Sequence, residues 1–244
     1  MFRNAACAAV AALLPVSAMA FGPADYVYVP GVEYGEREFD FKFGSQKKPR
    51  EDRLSAASLG FGYGVTQRWF TEIYQKYERA GDEGTHVDAW EWENKFQLTE
   101  PGEYPVDVGF VIEVERPKNR TDGYEARFGP LLQTEMGKFQ LNGNLLLERH
   151  YRAEAQERTE FGYQWQIKYR WQQQLEFGLQ GFGELGKWNQ WDPADQRSHR
   201  VGPAVFGKLP LGNRQAIRYN AALLLGASTG APRQTFRMQV EYEF

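Results

Sequence analysis

The chain has 244 residues, with 29 Lys and Arg against 32 Asp and Glu, a net charge of −3, three histidines and one cysteine. The mildly acidic balance argues against a nucleic-acid partner, and a single thiol excludes both a disulfide framework and a Cys-ligated metal centre. A negative mean hydropathy, with one apolar run at the N-terminus and no second long one, excludes a bundle of membrane-spanning helices.

The first predicted element is an export signal. Arg3 precedes the apolar run from Ala5 to Val16, and Ala18-Met19-Ala20 follows it. A positive start, a short apolar core and an A-x-A site form a secretory signal, so cleavage is predicted after Ala20. Cleavage would remove Cys7 and Arg3, leaving 28 basic residues (29 less Arg3) against 32 acidic ones. Residues 21–31, with Pro23, Pro30 and Gly31, read as a periplasmic lead-in. Residues 32–244 read as one domain, because no linker or shift of composition divides them.

Within that domain, apolar and polar residues alternate segment after segment. The apolar positions of the first predicted strand are Phe39, Phe41 and Phe43, and those of the second are Leu59, Phe61, Tyr63 and Val65. Trp69 and Ile73, then Trp90 and Trp92, then Phe110, Ile112 and Val114 mark the next three. Tyr124 and Phe128, Leu145 and Leu147, and Tyr163, Trp165 and Ile167 continue the series. Phe177 and Leu179, Val201 and Val205, and Tyr219, Leu223 and Leu225 bring it to eleven. A period of two places these residues on one strand face. Each segment is about as long as a tilted membrane strand, which needs roughly 9–11 residues. Tight turns are predicted near Val65–Arg68 and Glu135–Lys138. Charged loops are predicted at 44–53, 79–86, 116–123, 151–158, 187–198 and 228–233, on the extracellular side.

The twelfth strand ends the chain. Phe236, Met238, Val240, Tyr242 and Phe244 share one face, with charges on the other. An alternating strand with a terminal aromatic resembles the signal that the bacterial barrel-assembly machinery reads on outer-membrane barrels. In lipid every backbone N–H and C=O needs a protein partner, so many amphipathic strands without helices imply closure. The predicted fold is all-β: a monomeric transmembrane antiparallel up-and-down β-barrel of about twelve strands, with ten or fourteen also compatible with the pattern. It is placed in the bacterial outer membrane, in contact with outer-membrane lipid and lipopolysaccharide.

If the apolar faces meet lipid, the other faces line the lumen. Glu72, Glu91, Glu93, Glu113 and Glu115 form the most concentrated acidic patch. Lys76, Lys95, Arg127, Arg170, Arg218 and Arg237 are the principal inward bases. The patch is expected to be hydrated or paired with Lys76, Lys95 or Arg127, since buried unpaired acids are costly. Ser58, Gly60, Gly62 and Gly64 sit on the same inward face, where small residues leave room for long side chains opposite or widen the lumen.

Catalysis is not expected. His86, His150 and His199 fall near the extracellular rim, and no nucleophile motif accompanies Ser45, Ser55 or Ser198. Asp82, Asp88, Asp122 and Asp195 read as solvated loop charges. No cofactor and no metal is predicted, although three rim histidines could meet in space.

A family resemblance rests on four stretches: Gly60-Phe61-Gly62-Tyr63-Gly64-Val65-Thr66-Gln67-Arg68-Trp69, Trp92–Leu98, Gly129-Pro130-Leu131-Leu132-Gln133 and Asn144–Arg149. These span about half the chain and resemble proteobacterial outer-membrane barrels of the transporter type, some linked to aromatic-compound degradation. The resemblance implies fold and location and carries over no catalytic residue. The expected function is a channel or uptake protein for small hydrophilic or ionic solutes through a narrow, charge-lined lumen. The alternative is a closed, salt-bridge-filled barrel with a structural or partner-binding role.

Overall fold

The computed structural model describes residues 21–49, 51–154 and 158–244; the predicted signal segment, 1–20, lies outside them. The alternating segments form twelve strands: β1 (Arg37–Lys47), β2 (Arg53–Thr66), β3 (Trp69–Ala80), β4 (His86–Gln97), β5 (Asp107–Pro117), β6 (Tyr124–Met136), β7 (Phe139–Tyr151), β8 (Thr159–Gln172), β9 (Leu175–Lys187), β10 (Ser198–Gly212), β11 (Gln215–Gly226) and β12 (Gln234–Glu243). Each pairs antiparallel with its neighbours in sequence, and β12 closes on β1 with Phe39 opposite Tyr242 and Phe41 opposite Val240. The predicted architecture and strand number are therefore the observed ones. Closure leaves no strand edge unpaired.

The barrel has a turn end and a loop end. At the turn end lie Arg37, the terminal Phe244 and short connections such as those at Gly137-Lys138 and Asn213-Arg214. Asn213 and Arg214 both have positive φ, 49° and 65°, the geometry of a two-residue hairpin turn that matches strand twist. The loop end carries most of the longer connections, and all but the last, 227–233, are shorter than the charged segments predicted there; the 98–106 connection between β4 and β5 lies at the turn end. β1 runs to Lys47 and β2 starts at Arg53, because the alternating pattern continues through the charged residues.

The outward face is the apolar one. Phe39, Leu59, Ile73, Trp90, Trp92, Leu145 and Leu223 are exposed on it, each between 47 % and 56 %. The C-terminal strand belongs to this surface: Phe244 stacks on Phe39 at 5.6 Å and on Tyr242 at 5.4 Å. Such a skin would be untenable in water over a whole barrel circumference and is suited to hydrocarbon.

One expectation needs correcting. The predicted periplasmic lead-in, 21–31, does not hang below the barrel. It runs along the lumen as an extended segment, from Phe21 in the loop-end half to Val32 at the turn end. Phe21 and Tyr28 are buried against Val111, Leu131 and Leu146. Val27 is buried against Phe182, Phe206, Ala204, Ala222 and Leu224. At the turn end the Val32 N–H donates to Gln97 Oε1 at 2.9 Å, and the Gly35 N–H donates to the Gly64 carbonyl at 2.8 Å. The physical reason lies in composition: Phe21, Tyr26, Val27, Tyr28 and Val29 would be costly to leave in water.

Candidate functional site

The lumen is built from the inward positions of the strands and from this segment. On β4 and β5 alternate residues point inward, so Glu91 and Glu93 face Glu115 and Glu113 across the ladder. Carboxylate oxygens of Glu91, Glu93 and Glu113 lie within 4.8 Å of one another. Like charges so close in a buried site require countercharge. Lys76 on β3 provides it, 2.9 Å from Glu91 and in direct contact with Glu115. Arg127 on β6 contributes from the other side, at 3.3 Å from Glu113 and 3.0 Å from Glu148. It also approaches Glu125 at 3.5 Å and Asp25 of the N-terminal segment at 3.6 Å.

The segment supplies donors as well. Tyr26 Oη donates to Glu93 at 2.6 Å, and Tyr28 Oη donates to Glu113. Asn144 Nδ2 donates to the Tyr28 carbonyl at 3.2 Å, and Arg200 donates to the Phe21 carbonyl at 3.3 Å. Lys42 on β1 lies between the Tyr26 and Tyr74 rings, 3.7 and 3.6 Å from their centroids, and 3.5 Å from Asp40. An ammonium held by two aromatic faces and a carboxylate is well compensated for its burial.

Of the predicted acidic residues, the structure brings Glu91, Glu93 and Glu113 together, and Glu91 and Glu115 share Lys76. Glu72 is buried opposite Glu93 on β3, outside the cluster of mutually close oxygens. Among the predicted bases, Lys76 and Arg127 form ion pairs with the patch. Lys95 instead lies 5.0 Å from the Phe70 ring and lines a cavity nearer the turn end. Arg170 pairs with Glu135 at the turn end, and Arg218 with Glu243. Arg237 is buried and donates to Gln180 at 2.8 Å and Asn220 at 2.7 Å, within an amide ladder on the wall opposite the acids.

The small residues of β2 do what one of their two readings required. A Cβ at Gly60 would lie 2.3 Å from the Tyr74 ring, and one at Gly62 would lie 2.4 Å from the Phe70 ring. Gly64 has a different partner, the backbone: a Cβ there would lie 1.9 Å from the Glu33 carbonyl oxygen of the incoming segment.

The three rim histidines do not meet. His199 contacts the Tyr163 hydroxyl at 2.8 Å on the outward face, and His86 lies 3.4 Å from the Gly84 carbonyl. His150 stands 3.7 Å from Glu125 and 3.9 Å from Glu148, whose charge Arg127 already offsets.

Among the described residues, two sizeable cavities lie in the lumen. One of about 390 Å³ opens toward the turn end, among Lys95, Lys168, Arg170, Lys208, Glu176 and Glu241. The other, about 130 Å³, lies toward the loop end, among Asp25, Lys76, Glu91, Glu115 and Arg127. Tyr26 and Tyr28 border both.

No family model and no curated protein matches the sequence. Solved structures do match in fold. An outer-membrane channel from Pseudomonas putida F1 is similar at a TM-score of 0.59 and 15% identity, covering 91% of this chain and 98% of that one. The NanC porin is similar at 0.57 and 9% identity, with 84% and 98% covered. The KdgM porin, solved in complex with disordered oligogalacturonate, is similar at 0.52 and 10% identity, with 85% and 98% covered. With its apolar skin outside and its charges within, the chain has the fold of the bacterial outer-membrane β-barrels.

Proposed function

We propose that this protein is a bacterial outer-membrane conduit for small hydrophilic or ionic solutes, with the N-terminal segment seated in the lumen to set its bore. The turn end then faces the periplasm and the loop end the exterior. The observation that carries the reading is the pair of charge-lined cavities sharing Tyr26 and Tyr28 as a common wall. A path for water or ions would need that wall to move. The similar structures described as a channel or as porins support the same reading. Inward carboxylates at Glu91, Glu93, Glu113 and Glu115 favour cations, because charged rings set selectivity in narrow pores. Conduction needs no reactive group.

A second reading is a closed barrel with a structural or partner-binding role. The convergence of Arg127 on Glu113, Glu125, Glu148 and Asp25 favours it, since such a network holds the lumen filled.

One experiment separates the two. The mature protein is refolded, inserted in a planar bilayer and recorded across a salt gradient. A conduit gives discrete, cation-selective openings whose selectivity weakens in Glu113→Gln/Glu115→Gln. A silent bilayer with a verified folded barrel rejects the conduit and leaves the closed barrel.

A further inference from the structure

On the outward face near the loop end, the surface changes from apolar to basic within one step of the strand. Leu147 on β7 faces outward opposite Phe161 on β8, and the next outward pair is Arg149 opposite Thr159. Two residues of strand span roughly 7 Å. The hydrocarbon boundary of this wall therefore lies between those two pairs.

Basic and aromatic side chains gather along that boundary. The Arg116 guanidinium lies 4.1 Å from the Tyr124 ring centroid, and that of Arg149 lies 5.4 Å from Tyr151. In the connection from β9 to β10, Trp191 stacks on Phe161 at 6.4 Å, and Arg197 lies 5.6 Å from the Trp191 ring. The loop is held in place: Arg197 Nε donates to the Asp192 carbonyl at 2.6 Å, and the Asp192 N–H donates to the Leu185 carbonyl at 2.9 Å. Between this loop and the strand ends opens a groove of about 410 Å³, whose lining includes Arg149, Arg158, Lys187, Trp188, Trp191 and Asp192.

We propose that this groove binds the phosphorylated disaccharide headgroup of lipopolysaccharide in the outer leaflet. Among the described residues, three cations and a single carboxylate line it, which suits an anion. Guanidinium groups match phosphate oxygens by paired N–H donors, and Lys187 adds a point charge. Trp188 and Trp191, each about half exposed, offer aromatic faces to sugar rings at the level where tryptophan partitions in membranes. Acyl chains would descend over Leu147, Phe161 and Trp165, all on the outward face. The inward residues at the same level are Glu148 and Glu160, which would repel an anion from the lumen side. The site thus belongs to the lipid surface. The inference rests on the outer-membrane placement but not on conduction, so a silent bilayer would leave it standing.

The test uses the refolded mature protein in neutral detergent. The probes are diphosphorylated lipid A, the same lipid with both phosphates removed, and inorganic phosphate; binding is read by native mass spectrometry. Wild type is expected to bind the diphosphorylated lipid at least about tenfold more tightly than the dephosphorylated one. Arg149→Gln/Lys187→Gln should lose that preference while binding the dephosphorylated lipid as before. Folding of the variant is checked by its heat-modifiable gel mobility, and the comparison of the two lipids on wild type needs no variant. Equal affinity for the two lipids, or an unimpaired double variant, would overturn the proposal. Displacement of lipid A by inorganic phosphate at comparable concentration would also overturn it, since the groove would then be a general anion site.

Discussion

The two walls that flank the N-terminal segment hold it by different physics. The segment is extended, so successive side chains point to opposite sides. Tyr26 and Tyr28 point to the wall of β4 and β5, where they donate to buried carboxylates. Val27 points to the wall of β9–β11, where it meets Phe182, Phe206 and Leu224. The first contact is directional and depends on a balanced set of charges. The second depends on apolar area alone. A segment held in both ways has its register fixed by the hydroxyls and its depth fixed by the apolar side chain.

The comparison is broken most severely on the charged wall. Arg127→Ala leaves Glu113, Glu148 and Asp25 without their shared countercharge in a buried setting. Removing one partner of a buried ion network costs about 3–5 kcal/mol, so the urea midpoint of the refolded barrel should fall sharply. Arg127→Met combined with Glu113→Gln and Glu148→Gln should recover most of the loss, because no charge is then stranded. If the single variant were as stable as wild type, the network would be hydrated and the wall would not act as a fixed support.

A smaller effect is expected from Tyr28→Phe. It removes one hydroxyl donated to Glu113 and leaves the ring packed against Val111, Leu131 and Leu146. A hydrogen bond to a charged group contributes about 1.5–3 kcal/mol, and Arg127 still accompanies the carboxylate, so the loss should lie near the lower figure. The same denaturation series measures it. A loss as large as that of Arg127→Ala would mean that the tyrosine, rather than the arginine, keeps the acid in place.

The barrel was legible in the sequence because its signal is repeated. Twelve alternating segments, each with outward residues such as Phe39, Trp92 and Leu223, report one rule many times. The acid–base pairing of Glu91 and Glu115 with Lys76 was also within reach, since neighbouring strands and a common face imply proximity. The seat of the N-terminal segment was not read, although a trace of it is present. Val111, Leu131, Leu146, Phe182, Phe206 and Leu224 occupy inward positions, where the pattern demands polar residues, and all are buried. Together they form an apolar lining with no lipid to meet. An apolar partner inside the barrel explains it, and Phe21, Val27 and Tyr28 supply that partner. Alternation says which face a residue occupies. It does not say what a lumen contains, because any segment near the barrel mouth can enter.

The apolar wall offers a break in stability comparable to that of Tyr28→Phe and the sharpest one in function. Val27→Ala removes two methyl carbons from among Phe182, Phe206 and Leu224. At about 0.8 kcal/mol per buried group this costs roughly 1.5–2 kcal/mol, with some addition for the small cavity left behind. The barrel wall itself is untouched, so the loss falls on the seating of the segment rather than on strand pairing. Tyr26 and Tyr28 keep their carboxylates, and the segment should therefore loosen on one side only. If the conduit reading holds, openings in the bilayer should become more frequent while cation selectivity persists, because the charges that set it remain. The Tyr28→Phe variant should shift selectivity or conductance instead, through a Glu113 that has lost one of its donors. If both variants changed the openings in the same way, the two walls would be interchangeable restraints, and the division between a directional and an apolar support would have no functional content.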